Sequence, residues 1–164
     1  MYKPARLLLS IALFLAAACS KKSDGPTSSN GTTGGNGTAG TNSMSAKIDG
    51  AQWTAYTVAV QKSTGYVIVS GASLDSKAIA VLFATSGTGT QSIVLGGVMN
   101  GNVIINGASW SASGLFPATS GSVTLTTLTA TRAVGTFTLT LQATLTTTTP
   151  QQRLVTGGAF DVTF

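Results

Sequence analysis

Between positions 136 and 145 the chain alternates without interruption. Phe137, Leu139, Leu141, Ala143 and Leu145 occupy one phase; Thr136, Thr138, Thr140, Gln142 and Thr144 occupy the other. A period of two puts each set on its own face of an extended strand, whereas a helix would scatter both sets around its axis. One face is apolar and the other nearly all threonine, which suits a strand with one side in a core and the other in water. The same reading gives strands at 57–61, 66–71, 78–85, 92–95, 103–106, 122–128 and 159–164. In the last of these Phe160, Val162 and Phe164 point one way and Asp161 and Thr163 the other. Gly-containing turn clusters separate the runs, and none carries a capped helical stripe. The chain is therefore expected to be all-β: an antiparallel sandwich or barrel of about 8–10 strands. The apolar phase slips by one within Thr126-Thr127-Leu128, which predicts a bulge there.

Two stretches of this β region resemble each other. Ile48-Asp49-Gly50-Ala51-Gln52-Trp53-Thr54-Ala55 aligns with Ile105-Asn106-Gly107-Ala108-Ser109-Trp110-Ser111-Ala112, with Ile, Gly, Ala, Trp and the final Ala identical. Downstream, Ser63-Thr64-Gly65-Tyr66-Val67 aligns in the same order, at nearly the same offset, with Thr119-Ser120-Gly121-Ser122-Val123. Asp-Gly and Asn-Gly are two-residue hairpin turns, because both central positions require positive φ. Each stretch is thus expected to form a tight hairpin carrying a tryptophan. Two readings remain, a duplication into two similar halves and a chance likeness in a Gly-, Ala- and Thr-rich chain. The shared order favours duplication.

The N-terminus is built differently. Lys3 and Arg6 precede the apolar run LLLSIALFLAAA at 7–18, and Cys19 follows. This is the n-region, h-region and small-residue order of an export signal, with a run well short of the roughly 20 residues a spanning helix needs. The expected organisation is a signal peptide at 1–18, a lipidated cysteine plus linker at 19–43, and one all-β domain at 44–164. Small residues before a cysteine resemble a bacterial lipobox, although Ala16 stands where leucine is usual. That resemblance implies a lipid on the Cys19 thiol and cleavage before it; the alternative is ordinary cleavage after Ala18, leaving a free thiol. The chain has one cysteine, and it falls where the lipid would go. Residues 23–43 hold no large apolar side chain and read as a flexible tether spanning roughly 25 Å.

The formal charge of +5 comes largely from this N-terminal segment. Within 44–164, Lys47, Lys62, Lys77, Arg132 and Arg153 face Asp49, Asp75 and Asp161, and the cations are scattered singly. No stripe tracks phosphates, so no nucleic-acid partner is expected. Catalytic chemistry is equally constrained. The chain has no histidine and one cysteine, which excludes a Ser-His-Asp triad, a Cys-His pair, an intramolecular disulfide and a His- or Cys-clustered metal site. Three aspartates in the β region could in principle supply a carboxylate pair, but Asp49 and Asp75 suit turns and Asp161 the polar face of a strand. Gly87-Thr88-Gly89 lacks a third glycine and precedes a strand, and no lysine has a serine three residues before it. The domain reads as non-catalytic, without cofactor or metal.

Trp53, Tyr56, Tyr66 and Trp110 are the candidate ligand-binding side chains, since aromatic faces stack on sugars and anchor protein partners. The competing reading, favoured here, is that a tryptophan repeated in two hairpins packs into the core. The lipobox-like cysteine, the polar linker, the SAKIDGAQWTA opening and the GGAFDVTF ending resemble small β-domain lipoproteins of the Bacteroidota. The resemblance implies an exported, lipid-anchored envelope protein and carries no catalytic residue. Ser20 after the cysteine points to the outer membrane by analogy. The expected role is a binding or accessory module for an envelope protein or glycan. The alternative is a lipocalin-like barrel around a small apolar ligand.

Overall fold

The structure, a computed structural model, describes residues 42–164 apart from 95, 96, 98 and 117. Cys19, the stretch expected to be an export signal and the expected linker up to residue 41 lie outside the described residues. Eleven strands run in chain order: β1 (Ser43–Ile48), β2 (Ala51–Thr54), β3 (Thr57–Ser63), β4 (Tyr66–Ala72), β5 (Lys77–Ala84), β6 (Gly89–Ser92), β7 (Asn100–Ile105), β8 (Ala108–Ala112), β9 (Ser120–Leu128), β10 (Arg132–Ala143) and β11 (Gln152–Thr163). Among the described residues there is no helix. Every pairing is antiparallel, and the sheet curls into a half-barrel.

The alternation that predicts β10 is met there: Ala133, Gly135, Phe137, Leu139, Leu141 and Ala143 are buried and the threonines between them are not. The strand stops at Ala143, however, and Leu145 lies exposed in the following loop. The run expected at 92–95 forms three residues earlier, as β6. The predicted bulge falls at Thr126: Val134 pairs with Thr127 and Gly135 with Leu125, leaving Thr126 unpaired in the register, with its hydroxyl on the Val134 carbonyl at 3.2 Å.

The pairing pattern gives the two-halves reading its physical form. β1–β2 and β7–β8 are hairpins of the same register, with Trp53 opposite Ala46 and Trp110 opposite Val103. β3–β4–β5 is a meander, and so is β9–β10–β11. The two units interlock, because β1 pairs with β11 and β7 pairs with β5. Each hairpin therefore joins the meander of the opposite half. The resulting arms, β2-β1-β11-β10-β9-β6 and β8-β7-β5-β4-β3, meet at two residue pairs, Gln142–Ser111 and Ala143–Trp110. The downstream part of the sequence alignment is not structurally equivalent. Gly65 sits in the β3–β4 turn at φ +88°, while Gly121 lies inside β9. The turn that matches β3–β4 is the one joining β9 to β10, so the chain positions drift between the halves after the hairpins.

The concave face is the core. Phe83 of β5 stacks on Phe160 of β11 across the two arms, with ring centroids 5.4 Å apart, and Phe137 lies 6.3 Å beyond. Val67, Val69, Ile79, Val81, Val123, Leu139, Leu141 and Val162 fill the space around them. Packing is close enough that a Cβ on Gly101 would come within 2.5 Å of Leu139, and one on Gly158 within 2.6 Å of Phe137. Lys62 closes the far end, its ammonium 4.5 Å from the Phe164 ring centroid.

Candidate functional site

The two Asx-Gly turns form as their composition dictates. Asp49 and Gly50 have φ of 50° and 84°, and Asn106 and Gly107 have 50° and 83°. Both are type I′ geometries, which match the strand twist and need the left-handed region at both central positions. Even the hydrogen bonds outside the hairpins correspond: Asp49 N donates to Leu154 O at 2.8 Å, and Asn106 N donates to Ser76 O at 3.1 Å.

The tryptophans that follow these turns are buried, Trp53 at 4% exposure and Trp110 at 2%. Trp53 Nε1 donates to Ser73 Oγ at 3.0 Å, and Trp110 Nε1 donates to Pro150 O at 2.7 Å. Each indole thus has its one polar atom satisfied and its rings in the core, and neither offers a stacking face. Trp53 also explains why position 71 is glycine, because a Cβ there would meet its ring at 2.8 Å. Tyr56 is 72% exposed in the β2–β3 connection, where its backbone N bonds to Ala72 O. Tyr66 is half-buried at the start of β4, at the opposite end of that strand, about 20 Å away at strand rise. The four aromatics do not assemble into one platform.

A cleft of about 330 Å³ does form, against the first hairpin. It is lined by Ile48, Asp49, Gln52 and Trp53 on one side and by Lys77, Ile105 and Arg153 on the other. Ile48 and Ile105 are equivalent positions of the two hairpins, so the cleft lies where the interlocked halves meet. Arg153 is the pivot. It stands on the inward phase of β11, two residues before the buried Val155 and opposite the buried Leu141. Its guanidinium lies 4.4 Å over the Trp110 ring and its Nη1 donates to Asp49 Oδ2. Asp49 Oδ1 accepts from the Leu154 backbone N at 2.8 Å, so one carboxylate joins the turn of one half to the last strand of the other.

Lys77 is positioned from behind. Its ammonium pairs with Asp75, whose other oxygen accepts from the Ser73 hydroxyl, and that hydroxyl in turn accepts from Trp53. The Lys77 hydrogen bond, followed by the Ser73 bond, holds the Asp75 carboxyl below its ordinary range. The third described aspartate, Asp161, lies elsewhere and is held below that range by the Arg132 guanidinium, which grips it with two hydrogen bonds of 2.9 and 2.7 Å. Each described aspartate has a different cation as its partner. No three potential ligands cluster for a metal among the described residues.

Asp49 reads from sequence as a turn residue, and Trp53 as an aromatic candidate; both reach the cleft. Gln52, Lys77 and Arg153 carry no motif. The one signal for Arg153 is a lone cation sharing its phase with the apolar Val155. Comparison with known protein families, with curated proteins and with solved structures finds no match.

Proposed function

We propose that this chain is an exported bacterial envelope protein, anchored through a lipid on Cys19 in the outer membrane, whose non-catalytic β domain binds a glycan. The anchoring rests on the export segment, on the position of the only cysteine and on the polar tether after it. The binding role rests on one observation: the cleft between the halves is lined by the apolar Ile48, Trp53 and Ile105 together with the polar Asp49, Gln52, Lys77 and Arg153. A few polar groups set among apolar side chains suit a small ring-shaped ligand better than the broad, flat surface of a protein partner. Against catalysis stand the missing histidine and the separate ion pairing of Asp49, Asp75 and Asp161. The apolar-ligand barrel needs an open lumen, and the described concave face is filled by Phe83, Phe137, Phe160 and their neighbours.

Two experiments test this reading. Cys19→Ser should abolish incorporation of labelled fatty acid and release the protein from membranes; persistent labelling would refute the anchor. Screening the full chain on a glycan array should give signal that Gln52→Ala reduces. An array with no signal would remove the glycan role.

A further inference from the structure

The cleft's lining is unbalanced in charge, since Lys77 and Arg153 face Asp49 alone. Asp75, which pairs with Lys77, does not line the cleft, and it anchors the lysine through the Ser73–Trp53 chain. Arg153 is also under-used. A guanidinium has five N–H donors. Among the described residues only Nη1 has a hydrogen-bond acceptor, and Nε is buried with none. The Trp110 ring beneath and Asp49 beside it fix the orientation of the group, and with Nε buried the donors left for a ligand are those of Nη2 and the second N–H of Nη1. A rigid fork of this kind matches a planar two-oxygen anion, and Lys77 supplies a second positive charge across the same cleft.

The remaining groups suit hydroxyls. Gln52 Nε2 donates to the Trp53 carbonyl at 3.3 Å, and its Oε1 has no donor among the described residues. Asp49 is an acceptor on the same rim. Resting on the proposed glycan role, we infer that the cleft selects an acidic sugar residue. Its carboxylate faces Arg153 and Lys77, its hydroxyls face Gln52 and Asp49, and its ring lies on Ile48 and Ile105. Arg153 and Lys77 are the specificity-determining residues of this assignment.

The test is titration of the full chain in detergent with four probes, followed by calorimetry or ligand-observed NMR: methyl glucuronide, its neutral methyl ester, methyl glucoside and acetate. The acid should bind at least about tenfold more tightly than the ester or the glucoside, the size expected of one charge-assisted contact, and acetate should bind more weakly still. Lys77→Gln and Arg153→Gln should each bring the acid down to the level of the ester. Lys77 lies at the start of β5 and is partly exposed, so its variant carries the test if Arg153→Gln does not fold. Equal binding of acid, ester and glucoside would overturn the charge selection and leave the glycan cleft standing. Acetate binding as tightly as the glucuronide would reduce the site to a simple anion site and overturn the sugar assignment. No binding by any of the three sugar probes would overturn the inference and the glycan role together.

Discussion

The two hairpins share a turn type, a register and a buried tryptophan, yet the first lines the cleft with its turn and its tryptophan while the second lends it Ile105 alone. The difference lies in the loops that cover them. Beside Trp53 the chain returns from β4 to β5 through residues 73–76, with the Ser73 hydroxyl accepting from the indole. Beside Trp110 it returns from β10 to β11 through 144–151, twice as long, with the Pro150 carbonyl on the indole and Thr144 N on Ser109 O at 3.0 Å. Equivalent backbones thus acquire different surfaces from a difference in loop length. The second contrast is chemical. Asp49 draws Arg153 of the opposite half toward its turn, while Asn106, neutral at the same position, holds no cation among the described residues. Backbone geometry is common to the pair, and electrostatics is particular to one member.

The largest break in this comparison comes from the tryptophans. Trp110→Ala and Trp53→Ala should each cost about 3–5 kcal/mol in denaturant unfolding, as large buried aromatics do. Trp110→Ala should be the worse, because Arg153 also loses the ring it lies on. A cost below about 1 kcal/mol for either would contradict its place in the core. Replacing 144–151 with a four-residue turn like the one at 73–76 should leave the Trp110 N–H without its acceptor. That change should cost about 1–3 kcal/mol and red-shift the Trp110 emission. Gly50→Ala and Gly107→Ala should each cost about 1–2 kcal/mol, and equally. A Cβ meets nothing at either position, so backbone strain is the whole effect. Unequal losses would show that the turns are not equivalent.

Asp49→Asn copies the second turn into the first and keeps its geometry. It should cost about 1 kcal/mol or less, because the Asp49–Arg153 pair is partly exposed, and a double-mutant cycle with Arg153→Met should recover that small coupling. The smallest effect concerns a pair that the comparison leaves out. Arg132 lowers the Asp161 carboxyl from its ordinary 3.8, so the folded state binds that proton less readily than the unfolded chain. The stabilisation is present above pH 3.8 and is lost as pH falls through the lower folded value. Arg132→Met should remove that acid-side slope by slightly lowering stability at neutral pH, while leaving stability below the folded value unchanged.

Much of this architecture is legible in the amino-acid order. Alternation marks β10, the phase slip marks the bulge at Thr126, and Asp49-Gly50 and Asn106-Gly107 identify both turns, because each is a local physical demand on a few residues. Burial of Trp53 and Trp110 follows from their repetition. Leu145 shows the limit of such reasoning: it keeps the period of β10 but lies past Ala143, the last residue paired with β8, so periodicity alone overruns the strand end. The cleft is the least legible part. Gln52, Lys77 and Arg153 come from three distant segments, and nothing local in any of them anticipates that the interlocking of halves brings them to one place.

That interlocking also sets the order in which the fold can form. β1 leaves the ribosome early, yet apart from its own hairpin its ladder is to β11, the last described strand to be synthesised. A hairpin alone is marginal in water, so the first hairpin waits for almost the whole domain before its main partner exists. Its docking closes a loop nearly as long as the domain, and contacts of such high order are slow to form. The first hairpin therefore stays undocked until the last described strand arrives, although the β3-β4-β5-β7-β8 arm has all its partners earlier.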